Sequence, residues 1–280
     1  MSSDIVERPE ESTRPTLRER SRTPEGQTAI KVGGVVAVLT VVLLAFGIWW
    51  PLVSLSPSAS DTQDEVKNTI LVFSIAAAPV MAIVWGVAYY SLRHWRVGAT
   101  QEPPEDGPAI RDNNRISLVW VISSAVLTAF LLIWGLAALT STTTIPTDAK
   151  PLTINVVGQQ WVWNFQYPED GGITSAELIL PKDRPVIFNV TSADVIHSFW
   201  IPEMGVKVDA NPAVTTTTMT TPNKLGGFNV RCAELCGLNH AYMETTGTVV
   251  SAADFDKWVT DEGGTVGVNV PLNIDKVEAS

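Results

Sequence analysis

Three long uncharged runs constrain this chain more than any other feature. The first extends from Val32 to Ser60, with the apolar core VGGVVAVLTVVLLAFGIWWPLVSL. The second is Asn68 to Leu92, and the third begins at Ile116 as ISLVWVISSAVLTAFLLIWGLAAL. Each exceeds the roughly 20 residues that an α-helix needs to cross a bilayer core. A buried helix of a soluble domain usually breaks such a run with polar residues. The composition agrees, with 45% hydrophobic and 17% charged residues. Transmembrane α-helices are therefore predicted at 29–56, 68–92 and 116–140. The first reads either as a retained signal anchor or as a leader cut near Ser60. Its apolar run is longer than a signal-peptide core, and 58-SAS-60 is a weak cleavage cue, so retention is favoured.

Basic residues near the spans give the orientation. Arg8, Arg14, Arg18, Arg20, Arg22 and Lys31 precede the first span. Asp61, Asp64 and Glu65 dominate the first loop. Arg93, Arg96, Arg111 and Arg115 follow the second span. This places the N-terminus inside and everything after about residue 140 outside the membrane. The outer part carries 16 Asp/Glu against 8 Lys/Arg, a net of −8. Such a surface disfavours nucleic acid and suits a basic partner, or serves solubility alone.

Residues 1–28 are polar and read as a disordered cytoplasmic arm. Residues 97–114 read as a loop, and Pro79 predicts a kink in the second span. The periodicity changes at about residue 150. In 160-QWVWNFQY-167, Trp161, Trp163, Phe165 and Tyr167 alternate on one face. Further β-rich runs are 152–157, 177–180, 185–190, 214–221, 227–230 and 246–251. Their turn-bounded spacing predicts an antiparallel sandwich or barrel over 150–262. Ser251 opens S-x-x-D before 255-FDKWV-259, a capped helix start. Residues 263–280 read as an irregular tail.

The functional question sits in 232-CAELCGLNHAYM-243. It holds both cysteines of the chain and one of its three histidines. Outside the cytoplasm a Cys232–Cys236 disulfide is the plain reading, but closing so short a loop gains little stability. It also leaves His240, Met243 and the upstream His197 in 194-DVIHSFWIPEMGVKVDA-210 unexplained. Thiolate, imidazole and thioether together favour copper over hard cations. Zinc gives Met243 no role. A mononuclear blue-copper site leaves one cysteine over, whereas two bridged coppers use both.

At these residues the chain resembles subunit II of the haem–copper cytochrome c oxidases. The family loop C-x-E-x-C-x-x-x-H-x-x-M is matched at Cys232, Glu234, Cys236, His240 and Met243. Its upstream D-x-x-H-S pattern is matched at Asp194, His197 and Ser198. The likeness covers roughly residues 65–260. It implies membrane helices followed by a cupredoxin-like Greek-key β-sandwich with a binuclear CuA centre of two copper ions. It implies that Cys232 and Cys236 bridge both metals. His197 and Met243 would complete one copper, and His240 and the Glu234 carbonyl the other. The Glu234 carboxylate would reach a magnesium or manganese ion shared with subunit I, the alternative being a solvated loop carboxylate. Trp161 matches the position where a cytochrome c delivers its electron, the alternative being sheet core. Glu169, Asp170 and Asp194 are candidate docking acids.

The resemblance implies a subunit of a proton-translocating cytochrome c oxidase in a bacterial plasma membrane. Its partners would be subunit I, other oxidase subunits, a cytochrome c or cytochrome c domain, and membrane lipid. Oxygen reduction would occur in subunit I. No haem is expected here, since C-x-x-C-H is absent and His94 reads as a surface or snorkelling residue. The family's N-x-x-E-x-x-W signature departs in 114-NRISLVW-120, where Ser117 replaces the glutamate linked to a proton pathway. That departure keeps open the alternative of a CuA subunit in a nitric-oxide-reducing relative.

Overall fold

The structure is a computed structural model that describes residues 19, 21–96, 113–145 and 149–268. Most of the predicted arm at 1–28, of the loop at 97–114 and of the tail at 263–280 lies outside the described residues. Three long helices are present: α1 (Pro24–Ser54), α2 (Asp61–His94) and α3 (Asn114–Thr143). All three are long and apolar enough to cross a membrane, with mean hydropathy of 2.5, 2.3 and 2.4. Even the shortest, at 30 residues, measures about 45 Å, more than the hydrocarbon core. α1 begins ahead of the predicted span, and α2 runs unbroken through Pro79.

The chain packs as two units. One comprises Met1–Trp50 and Ser74–Asn113, the other Pro51–Phe73 and Asn114–Ser280. Within the first, α1 and the second half of α2 approach closely at Gly86. A Cβ there would lie 2.6 Å from Val36 Cγ2. Ala78 and Ala82 are buried on the same helix. Small residues allow such approach where lipid offers no hydrophobic drive between helices.

The second unit carries two five-stranded sheets. The first is ordered β3-β2-β1-β5-β8 and the second β4-β10-β9-β6-β7. In chain order the strands are β1 (Leu152–Gln159), β2 (Val162–Tyr167), β3 (Ile173–Ser175), β4 (Leu178–Pro181) and β5 (Val186–Ser192). They continue with β6 (His197–Ile201), β7 (Val206–Ala210), β8 (Thr216–Thr220), β9 (Gly226–Cys232) and β10 (Glu244–Val250). The packed pair of sheets is cupredoxin-like. The expectation of a purely antiparallel sandwich is corrected, because β1 pairs with β5 and β4 with β10 in parallel. Sequence alternation shows that a strand is half-buried but carries no record of its neighbour's direction. Strands β6 and β7 were not foreseen either. β6 reads HSFWI with four of five residues buried, so it lacks the alternation that marks a strand.

The core is built from inward positions of both sheets, among them Leu152, Ile154, Phe165, Phe188, Phe199 and Val230. Tyr167 ties the two sheets together. Its buried hydroxyl donates to the Ile179 carbonyl at 3.0 Å and accepts from the Ile179 N–H at 2.8 Å. The closing helix α4 (Ala252–Asp261) is capped as predicted, with Ser251 Oγ accepting from Asp254 N–H. It lays Phe255 and Trp258 against Tyr167. The segment leading into α2 also belongs to this unit. Ser60 is buried and donates to the Met204 carbonyl at 2.8 Å, while Ala59 N–H donates to the Glu203 carbonyl.

Asp170 pins the segment that follows α4. Its Oδ1 accepts from Gly267 N–H at 3.1 Å, and its carbonyl accepts from Thr265 N–H. The side chain is buried, and Oδ2 has no partner. Burial pushes the carboxyl pKa up, against the opposing Gly267 hydrogen bond and Arg184 charge. A raised folded-state pKa means that the charged form is penalised in the fold. The stability linked to this group is then greatest below the unfolded value and is lost as pH rises through the folded value. Asp170→Asn removes that charge and keeps an acceptor for Gly267. In paired thermal melts the wild type should gain on the variant as the pH falls from neutral to about 4, and the difference should level off below that. A difference that does not change with pH would contradict the buried-charge account.

Candidate metal centre

The site is assembled from two places in the second sheet. β9 ends at Cys232, and β10 starts directly after Met243. The Cys232 N–H donates to the Met243 carbonyl at 3.0 Å, so the intervening loop closes on itself like a collar. A short 3-10 turn at His240–Tyr242 folds it back, with His240 N–H on the Gly237 carbonyl. The upstream donor arrives by strand pairing. β6 lies beside β9 with Phe199 opposite Cys232, and Ala233 N–H donates to the Ser198 carbonyl at 2.9 Å. His197 opens β6 at full burial.

The six donors that the sequence singled out converge. The Cys232 and Cys236 sulfurs lie 3.8 Å apart. His197 Nδ1 is 3.8 Å from Cys232 Sγ, and His240 Nδ1 is 3.6 Å from Cys236 Sγ. Met243 Sδ is 3.7 Å from Cys236 Sγ, and Cys232 Sγ sits 3.2 Å from the Glu234 carbonyl. His197, Cys232 and Cys236 alone form a cluster able to hold a metal ion, their donor atoms all within 4.8 Å of one another. The cysteines are free thiols, far beyond the roughly 2.05 Å of a disulfide. Burial, with the neighbouring Cys232, pushes the Cys236 thiol up to about 11. A metal held here must therefore displace protons from sulfur.

The donor set fits a soft metal. Metal–sulfur and metal–nitrogen bonds of about 2.3 and 2.0 Å meeting near the tetrahedral angle span about 3.5 Å, close to the spacings observed. Each imidazole faces a different sulfur, and a thioether and a carbonyl stand at opposite thiols. One mononuclear ion would leave part of this set idle.

Comparison with known proteins agrees with the geometry. The family model for cytochrome c oxidase subunit II, periplasmic domain, matches residues 173–250, a stretch that contains all six donors. A probable cytochrome c oxidase subunit 2 from Rickettsia felis is 31% identical over 239 residues, covering 76% of this chain and 72% of the relative. The chain belongs to the cytochrome c oxidase subunit II family. The Bacillus subtilis subunit 2 is 31% identical over 237 residues, 79% of this chain and 65% of that protein. A crystal structure of the periplasmic domain of subunit II from Bradyrhizobium japonicum is 34% identical, covering 43% of this chain and 97% of that one, with a TM-score of 0.40. The chain is thus a subunit of a multi-subunit oxidoreductase. It is a multi-pass membrane protein with an extracytoplasmic domain that bears a His/Cys/Cys metal-binding cluster.

The aromatic face of 160–167 divides. Trp163, Phe165 and Tyr167 are core residues of β2. Trp161 lies in the turn before β2, half-buried beside the metal loop, with no partner for its indole N–H. The candidate docking acids have other engagements. Asp170 is buried, Glu169 pairs with Arg184 at 3.5 Å, and Asp194 accepts from His197 Nε2 at 2.8 Å. Burial pushes the Asp194 carboxyl up, but hydrogen bonds from Gln160, His197 and Val195 outweigh it and hold it below the usual range. The Glu234 side chain is exposed. His94 stacks on Tyr90 within α2.

Two glycines were missed by sequence reasoning. Gly237 has φ +126°, and a Cβ there would lie 2.9 Å from Gln160 Nε2 and 3.5 Å from the Trp161 indole. Gly158 on β1 lets the His197 ring lie against the backbone, where a Cβ would stand 3.1 Å from His197 Cδ2 and 3.0 Å from Trp163 Cζ3. Glycine inside a strand is a recognised mark of close approach, the signal available beforehand. Gly158→Ala should displace the imidazole and weaken metal binding by about 10–100-fold, the range seen when a ligand's support is lost. Competition against a chelator measures it, with the thermal melt of the metal-free chain reporting fold integrity. Unchanged affinity would mean that the ring has room to move.

Proposed function

We propose that this chain is the electron-accepting subunit of a terminal cytochrome c oxidase, built to hold a binuclear copper centre. The observation that carries the reading is the pair of facing thiols with one imidazole turned to each. Cys232 and Cys236 would bridge both metals. His197 and Met243 would serve one, and His240 and the Glu234 carbonyl the other. When bound, the copper pair supplies a one-electron carrier whose unpaired spin is shared between two metals. The chain's own contribution is a preformed, partly buried donor set whose atoms need move little, which keeps the reorganisation cost of electron transfer low.

Trp161 is proposed as the residue that receives the electron from a cytochrome c or cytochrome c domain. Its position at the rim of the metal loop, rather than inside β2, supports this role. The electron would pass on to subunit I, where dioxygen is reduced to water with proton translocation. The exposed Glu234 carboxylate is free to face a magnesium or manganese ion shared with that subunit. Because thiols in an oxidising compartment tend to pair, filling the site calls for a dithiol reductant.

The test uses the full chain in detergent, reduced, loaded with copper and freed of excess metal. Two coppers per chain with a hyperfine pattern of one spin over two nuclei are expected. One copper per chain, or none with a Cys232–Cys236 bond, would sink the reading. In the assembled oxidase, Trp161→Ala should slow electron uptake from cytochrome c at least tenfold while the copper content stays unchanged. Loss of copper instead would make Trp161 a packing residue.

A further inference from the structure

The strongest unassigned feature near the site is the way one carboxylate is shared. Asp194 precedes β6 by three residues. Its Oδ1 lies 2.8 Å from His197 Nε2 and accepts from Val195 N–H at 2.6 Å. Its Oδ2 accepts from the Gln160 N–H at 2.8 Å. Ser192 Oγ accepts from the Asp194 N–H and steadies the turn. Gln160 is held on its other side too, its Nε2 donating to the Cys236 carbonyl at 2.6 Å. The next residue in the chain is Trp161.

We propose that Asp194 is a positioning residue that locks the His197 imidazole and the Gln160–Trp161 turn together as one unit. The proposal rests on the copper-site reading above. A neutral imidazole carries one N–H, and the nitrogen that bears it is fixed by the partner of the other ring position. With Nε2–H directed at Asp194, the lone pair of Nδ1 is left facing Cys232 Sγ. Gly158 and Trp163 pack against the ring, so orientation and tautomer are both set before metal arrives. The same carboxylate fixes the backbone immediately ahead of Trp161. The distance between the electron-accepting indole and the ligand loop is thereby tied to a ligand's own support. Both Asp194 oxygens accept hydrogen bonds within the chain, which gives the carboxylate an internal task.

The experiment compares wild type, Asp194→Asn and Asp194→Ala as full chains in detergent. First, the metal-free reduced chains, labelled with 15N-histidine, report the His197 tautomer at alkaline pH. Wild type should show the Nε2–H form, Asp194→Asn should retain it through its amide oxygen, and Asp194→Ala should lose it. Second, copper-loaded chains are compared by chelator competition and EPR. Asp194→Ala should lose copper affinity by about 10–100-fold and show an altered hyperfine pattern, with Asn rescuing much of both. An Asp194→Ala chain with the wild-type tautomer and spectrum, and only weaker salt-sensitive cytochrome binding, would overturn the proposal in favour of a docking charge. So would a wild-type His197 found as the Nδ1–H form. If Asp194→Ala does not fold, the wild-type and Asn tautomers still decide. A wild-type chain that takes up no copper pair would instead overturn the copper reading, and the tautomer measurement would stand apart from it.

Discussion

The register between β6 and β9 is the contact on which the centre depends. Cys232 and His197 are separated by 35 positions, and the pairing of β6 with β9, Phe199 opposite Cys232, brings them within 3.8 Å. Side chains alternate along a strand with period 2, so a slip of one residue would turn His197 away from the sulfurs and Phe199 away from the core. Burial therefore enforces the register. Phe199 contacts Trp163, Phe165 and Phe188 at centroid distances of 5.5, 6.2 and 5.3 Å. Exposing so large a ring would cost about 1.5–3 kcal/mol, before any cavity it left behind. The geometry of the donors is thus tied to the hydrophobic core of the domain and not to the loop alone.

The loop needs that external reference because it is short of contacts of its own. Leu235, Leu238 and Tyr242 project into solvent, while Cys236 and Met243 turn inward. The closing hydrogen bond from Cys232 N–H to the Met243 carbonyl fixes the two ends, and Gln160 from the other sheet holds the Cys236 carbonyl in the middle. Both sheets therefore contribute to one site. This is how a domain can keep soft donors in place before any metal binds, and how it limits their movement afterwards.

Much of this arrangement was legible in the sequence. The spacing of Cys232, Cys236, His240 and Met243 identified the loop because the donors are local. The three apolar runs identified the helices because lipid imposes one requirement on every residue of a span. Other features rest on partners remote in the chain, which spacing does not encode. The parallel pairing of β1 with β5, the need for glycine at 158 and the partner of each acid belong here. Asp170 and Asp194 read in the sequence as candidate docking acids. One is buried against a segment about a hundred residues away, and the other is shared between a histidine and a distant backbone amide. β6 escaped for a related reason. Its residues are buried almost continuously, so periodicity gave no sign of a strand at the place where the chain delivers His197.

The two halves of the chain differ in how fully they specify themselves. The outer domain encloses its own core, with Phe165, Phe188 and Phe199 wholly shielded. The apolar window of α3 buries none of its residues, and that of α1 likewise none. In water this would be untenable, but lipid satisfies such surfaces as well as protein does. A helix that is apolar all round holds no internal record of which face meets lipid and which meets another subunit. Ser117 illustrates the consequence. It lies exposed in the first turn of α3. The metal centre can be argued from this chain alone because its partners are within the chain.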